Sequence, residues 1–338
     1  MLPAILGLSG LALTTDERAL FRAADPAGFI LFGRNVADKA QLRALTDSLR
    51  DLSGRADLPI LVDQEGGRVA RLQPPEWPAF PAPGRFAALY EMAPISAIEA
   101  ARANGVALAI TLAEVGITVD CLPLLDVPQP GADDLIGDRA LGGEPMRVAA
   151  LGRAILDGLE AGGVGGIVKH IPGHGRARAD SHQELPVVDA TEEDLAIDLA
   201  PFRALRDAAM AMTAHVLFTA WDSEYPATLS ARVIGEIIRG AIGFDGLLMS
   251  DDLGMEALTG APGERARAAL AAGCDVVLHC SGQIEDAEQI AEGAGPMSEA
   301  ALDRLARAMA RTGGGASTPG YEALAAKRDA LLAYAEHR

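Results

Sequence analysis

Gly166-Ile167-Val168-Lys169-His170 is an apolar run that ends in two titratable side chains, and Ile171-Pro172-Gly173-His174-Gly175 follows it at once. A short segment that is apolar almost throughout reads as a parallel strand buried on both faces. The same design recurs at Ala4–Leu8, Gly28–Phe32, Pro59–Asp63, Thr118–Leu124, Ala211–Leu217, Leu247–Asp251 and Asp275–His279. Between these runs, apolar spacing predicts helices at Ala37–Leu52, Ile95–Val115, Met146–Ala161, Glu192–Met210, Ala231–Ile242, Gly263–Ala272, Ile284–Glu292 and Ser298–Arg311. Alternation of strand and helix without a break in composition predicts an α/β fold, a single (β/α)8 TIM-type barrel over residues 1–338. A final helix at about Tyr321–Glu336, beyond Gly313-Gly314-Gly315, is expected on the outside.

The polar residues strengthen the barrel reading. Asp63-Gln64-Glu65 ends the third run, Asp126 follows the fourth, Lys169-His170 ends the fifth, His215 lies in the sixth and Asp251-Asp252 ends the seventh. Barrel enzymes gather their chemistry at the C-terminal strand ends, where these side chains would converge. The two longest connections, Pro128–Pro145 and Pro172–Thr191, leave that same face, and the second is the candidate catalytic loop.

Composition bounds the partners. A net charge of −18 argues against a nucleic-acid partner, because phosphate binding needs a basic face. The apolar start Met1–Leu13 has no basic residue before it and is too short to span a bilayer, so it reads as a first strand. Cys121, Cys274 and Cys280 lack C-x-x-C spacing and sit in or beside apolar runs, as reduced core cysteines do. A cytoplasmic protein, expected to be a monomer without a membrane partner, fits these features.

Three of the six histidines fall between Lys169 and His182, with Asp180 two residues before His182. A carboxylate against an imidazole fixes its tautomer and makes a proton shuttle near neutral pH. Zinc is a second reading of His170, His174, Asp180 and His182, opposed by the positive charge of Lys169 beside them. In Met249–Met255, one of the paired aspartates can serve as a nucleophile, while Ser250 or an aspartate can cap a helix starting near Met255. Strand alternation turns Asp251 and Asp252 to opposite faces, so only one is expected to reach a ligand. In Val62–Leu72, Asp63 can accept hydroxyl hydrogen bonds, with Arg68 or Arg71 reaching back as donors. Gly175 reads as a position requiring a glycine-only conformation. Arg139 lies in the loop after the fourth strand.

Together VDQEGGRVARL (Val62–Leu72), IGDRA (Ile136–Ala140), KHIPGHG (Lys169–Gly175), DSH (Asp180–His182), MTAHV (Met212–Val216) and SDDLGM (Ser250–Met255) resemble, in order and over nearly the whole chain, the glycoside hydrolase family 3 β-N-acetylglucosaminidases, the NagZ type of bacterial β-hexosaminidase. The resemblance implies Asp251 as nucleophile, His182 as general acid/base and Asp180 as its orienting partner. It places Asp63, Arg71, Arg139, Lys169 and His170 around a terminal N-acetylglucosamine. It also selects Asp251 over Asp252, which pattern alone does not.

The implied reaction is retaining removal of a non-reducing β-linked N-acetylglucosamine from 1,6-anhydro-muropeptides in peptidoglycan recycling, with no cofactor and no metal. An aspartate of reference pKa about 3.9 and a histidine of about 6.5 meet the need for one ionised and one protonated group with little tuning. Arg176 and Arg178 in the spacer are expected to favour a charged aglycone. The alternatives are another family 3 exo-β-glycosidase such as a β-glucosidase, a metal-dependent barrel hydrolase, and a catalytically silent sugar-binding barrel.

Overall fold

The computed structural model describes residues 1–131, 136–313 and 319–336. Gly314 and Gly315 of the glycine run, and part of the Pro128–Pro145 connection, lie outside these residues. Eight parallel strands close a barrel: β1 (Leu2–Gly7), β2 (Pro26–Leu31), β3 (Ile60–Val62), β4 (Val119–Asp120), β5 (Gly165–Ile171), β6 (Met210–Thr213), β7 (Leu247–Asp252) and β8 (Val276–His279), with β8 returning to β1. Around them run α1 (Thr15–Ala24), α2 (Lys39–Ser53), α3 (Pro83–Met92), α4 (Pro94–Glu114), α5 (Pro145–Ala161) and α6 (Glu192–Ala204). After a π-helical turn at Val233–Ile242 come α7 (Pro262–Ala272), α8 (Ile284–Ala294), α9 (Glu299–Met309) and α10 (Tyr321–Glu336).

Strand alternation divides the core in two. Ile5, Ile30, Leu61, Ile167, Met210, Met212, Leu247, Met249, Val276 and Leu278 fill the barrel interior. Their neighbours Ala4, Leu6, Val168, Ala211, Leu248 and Val277 face outward under the helices. Leu305, Ala308 and Met309 of α9 join the interior set, so this helix stoppers one end. The other end is left to polar side chains and long loops. α4 is long and apolar enough to cross a membrane by length and composition, yet 67% of that window is buried within the protein. It packs against α5 and α10.

Several boundaries differ from expectation for physical reasons. The fourth strand is only Val119–Asp120, because Leu122 turns its N–H back to Asp120 O and Pro123 has none to give; Leu124 bridges Lys169 again beyond this break. The helix expected to reach Met210 ends at Ala204, and Leu205 closes it by donating its N–H to Pro201 O. The sixth run splits: β6 stops at Thr213, and Leu217–Phe218 pairs instead with Val187–Val188 at the end of the Pro172–Thr191 loop. That small sheet anchors the loop's return. Helices α1 and α3 are additional. The first carries a capping box in which Thr14 and Glu17 satisfy each other's backbone N–H groups. No helix starts near Met255; the next begins at Pro262.

Candidate active site

β3, β5 and β7 end at one cavity of about 260 Å3, lined by Asp63, Glu65, Arg71, Arg139, Lys169, His170, His174, His182 and Asp251 among others. Its apolar wall includes Phe32, Met212, Met255 and Leu278. Asp180 is not among the lining residues; it stands behind His182. The other seven residues that the resemblance implies, Asp63, Arg71, Arg139, Lys169, His170, His182 and Asp251, border this cavity, whereas Asp126, His215 and Arg176 do not line it.

One half of the cavity is an ion-pair lattice. Lys169 is buried, with Nζ 3.1 Å from Asp63 Oδ1 and 2.7 Å from Glu65 Oε1. Arg71 donates to the other oxygen of Asp63 at 3.1 Å, and Arg139 grips Glu65 through two bonds of 2.8 and 2.9 Å. Burial alone would raise the Asp63 and Glu65 carboxyls, but Lys169 and the two arginines outweigh it and hold both below the carboxylate range. Burial would likewise lower Lys169, and the same carboxylates hold it well up. Asp63, Glu65 and Lys169 therefore stay charged, and the lone pairs and N–H groups that the lattice leaves over suit hydroxyl partners.

Glu65 is the residue that the motif reading passed over. It lies two positions after Asp63, the strand spacing that returns a side chain to the same face, so that signal was present. Its side chain is fully buried between two cations. Glu65→Ala would leave buried Arg139 without its counter-charge and Lys169 with Asp63 alone. A loss of about 3–5 kcal/mol in stability is expected, read from the urea midpoint. An unchanged midpoint would show that the lattice does not stabilise the fold.

The other half carries Asp251, Asp252 and the histidines. Asp251 is 8% exposed at the tip of β7. Its Oδ1 accepts the Asp252 N–H at 2.8 Å, and its Oδ2 lies 3.9 Å from His170 Nε2. Burial raises its carboxyl, but the fields of His170 and His215 with the Asp252 N–H overcome this and leave it lowered. Asp252 also borders the cavity, contrary to the simple alternation argument, because the register with β8 shifts between Met249 and Asp252. Its carboxylate is occupied differently: Oδ1 accepts the N–H of Gly254 and of Cys280 at 2.9 and 3.0 Å. Asp252 thus caps a turn rather than a helix, and Ser250 instead accepts the Leu278 N–H. His215 fastens the same tip, with Nε2 3.0 Å from Asp252 O and Nδ1 2.7 Å from the Thr228 hydroxyl.

Asp126, in the turn after β4, receives His170 Nδ1 at 2.8 Å and the backbone N–H of His174 at 2.7 Å. Gly173 then takes φ +140°. Gly175 is needed for space rather than for a special conformation: a Cβ there would lie 2.1 Å from Val127 O. This contact presses the loop start against the turn after β4. Further along, His182 is 58% exposed and its Nδ1 lies 2.8 Å from Asp180 Oδ1. Slight burial raises the Asp180 carboxyl, but the His182 backbone and ring and the Gln183 amide lower it overall. His182 therefore gives its Nδ1–H to a carboxylate and keeps Nε2 for proton transfer.

One expectation needs correction, and one alternative is resolved. Arg176 does not face a ligand; it turns to α6 and donates to buried Asp198 at 2.6 Å and to Asp194 O at 2.8 Å. Arg178 alone of the spacer arginines is exposed. Of Arg68 and Arg71, only the latter reaches Asp63; Arg68 pairs with Asp138 at the cavity rim. Among the described residues, no group of three His, Cys, Asp or Glu side chains converges as a metal site. Cys121, Cys274 and Cys280 are all free thiols.

The geometry can be set beside known proteins. The family model "Glycosyl hydrolase family 3 N terminal domain" matches residues 6–312. The β-hexosaminidase of Alkalilimnicola ehrlichii is 42% identical over 284 residues, covering 82% of this chain and 80% of the relative. That of Aromatoleum aromaticum is 42% identical over 287 residues, covering 82% and 79%. The crystal structure of NagZ from Neisseria gonorrhoeae in complex with N-trifluoroacetyl-D-glucosamine superposes with a TM-score of 0.88, at 33% identity and 98% coverage of both chains. With motif order, barrel and matched relatives all in agreement, the chain belongs to glycosyl hydrolase family 3.

Proposed function

We propose that this family 3 β-N-acetylhexosaminidase is a retaining exo-enzyme, which removes one non-reducing terminal β-linked N-acetylglucosamine through a covalent glycosyl–Asp251 intermediate. The observation that carries the reading is the meeting, around one cavity, of a buried ionised Asp251, a charged sugar-binding lattice and an exposed His182–Asp180 pair. The small volume, about 260 Å3, lies below the roughly 300–1,000 Å3 of pockets for drug-sized ligands and suits a single ring.

In the first step Asp251 attacks the anomeric carbon and the glycosidic C–O bond breaks. His182 Nε2 gives its proton to the departing oxygen. In the second, neutral His182 takes a proton from water, whose oxygen attacks the anomeric carbon and restores the Asp251 carboxylate. Most retaining glycosidases use two carboxylates. Here an imidazole replaces one, and its exposure lets it reach the aglycone side. Asp63, Arg71, Arg139, Lys169 and His170 hold the sugar, and the whole chain acts as a single catalytic domain.

The physiological substrate in this reading is the N-acetylglucosaminyl 1,6-anhydro-muropeptide of cytoplasmic peptidoglycan recycling, handled by a monomer with no nucleic-acid or membrane partner. Support comes from the resemblance of the motifs and from the acidic chain. The test is product release. N-acetylglucosamine should be freed from the anhydro-muropeptide, and nitrophenyl N-acetylglucosaminide should be cleaved at least about a hundredfold faster than the glucoside. Preference for the glucoside would establish the β-glucosidase alternative instead.

A further inference from the structure

We infer that Asp126 is a positioning residue, whose carboxylate fixes the tautomer of His170 and so makes that imidazole a hydrogen-bond acceptor beside the nucleophile. This rests on the reading of the cavity as the sugar site and assigns a residue outside the sugar-binding and catalytic sets. Asp126 is completely buried. Its Oδ2 lies 2.8 Å from His170 Nδ1, while Oδ1 accepts the backbone N–H of His174 at 2.7 Å and of His170 at 3.2 Å. Both backbone groups are N–H donors aimed at it, so the carboxylate is an acceptor to all three partners.

A carboxylate cannot donate, so His170 Nδ1 must carry the proton in their bond. In a neutral imidazole the other nitrogen, Nε2, is then a lone pair. Nε2 is the atom 3.9 Å from Asp251 Oδ2. Two acceptors facing one another across that gap call for a polar hydrogen between or beside them. A hydroxyl or amide N–H of the bound sugar supplies it, drawing that part of the ring against the nucleophile. Asp126 touches none of these atoms; it acts through His170. Its three bonds come from one short stretch, so the carboxylate also locks the turn that launches the Pro172–Thr191 loop.

Asp126→Asn separates these roles. The amide oxygen can still accept the two backbone N–H groups, whereas the NH2 in place of Oδ2 forces Nδ1 to accept and moves the ring proton to Nε2. Nitrogen-15 spectra of histidine-labelled protein should show His170 protonated at Nδ1 in the wild type and at Nε2 in the variant. With nitrophenyl N-acetylglucosaminide, kcat/KM should fall by at least about tenfold and by less than the roughly 10⁴ that the same carboxylate-to-amide change costs behind an imidazole that moves a proton, because His170 only binds. In a His170→Phe background the same change should cost less than about threefold, because nothing is left to orient.

The assignment is overturned if wild-type His170 is protonated at Nε2 or at both nitrogens. It is also overturned if Asp126→Asn loses activity without a change of tautomer, or costs as much without the imidazole. Should the variant fail to fold, the wild-type spectrum still decides. Absence of wild-type turnover on the same substrate would refute the sugar-site reading itself, an outcome distinct from all of these.

Discussion

Asp251→Ala should lower kcat/KM by at least about 10⁴-fold, the scale on which loss of a covalent nucleophile is felt in other enzymes. The reasoning is geometric. Asp251 stands at the tip of β7 with Oδ1 tied to the Asp252 N–H, which leaves Oδ2 as the free attacking oxygen. In the proposed mechanism, removing the carboxylate takes away the bond-forming atom but none of the charged lattice assigned to the sugar, so affinity for free N-acetylglucosamine should change by less than about tenfold. Incubation of the wild type with a fluorinated N-acetylglucosaminyl donor, which slows hydrolysis of the intermediate, should label Asp251 in the digested protein. Asp252 is the control, because its carboxylate already serves two backbone N–H groups. Its replacement by asparagine keeps an acceptor and should leave labelling at Asp251 intact. A label on Asp252, Asp63 or Glu65 would move the nucleophile and end this mechanism.

Much of the barrel was legible because parallel strands buried on both faces print continuous apolar runs, and all eight runs became strands. The failures have separate causes. Thr118–Leu124 is apolar enough for seven residues of strand, but Leu122 folds its N–H back to Asp120 O and interrupts the ladder after two. The apolar residues after Ala204 continue the character of α6 straight into β6, so hydrophobicity alone marks no boundary there. α1 was missed although Thr14 and Glu17 spell a helix start, a signal carried by two polar residues rather than by periodicity. The polar residues at strand ends were legible as a group. Their pairing was not, since Lys169 meets Glu65 and Arg176 meets Asp198 only through the closed fold. That is why Arg176 was assigned to the aglycone when a buried carboxylate on α6 had claimed it.

The second large effect concerns His182, and its size should depend on the leaving group. His182→Ala removes the proton donor, so a sugar-alcohol aglycone must depart as an alkoxide. A loss between about 10² and 10⁴-fold in kcat/KM is expected for such substrates. Nitrophenolate needs no proton to leave, so the first step with nitrophenyl N-acetylglucosaminide should be nearly preserved. The second step still lacks its base, and the glycosyl–Asp251 species should therefore accumulate, giving a burst of nitrophenol followed by slow turnover. Azide, which attacks without giving up a proton, should restore turnover and yield the glycosyl azide. Asp180→Asn should produce a weaker version of the same pattern, because the imidazole remains but loses the carboxylate 2.8 Å from Nδ1. Equal losses on nitrophenyl and disaccharide substrates, with no burst and no azide rescue, would remove His182 from the chemistry. Its exposure on the cavity rim would then mark it as a binding residue for the aglycone.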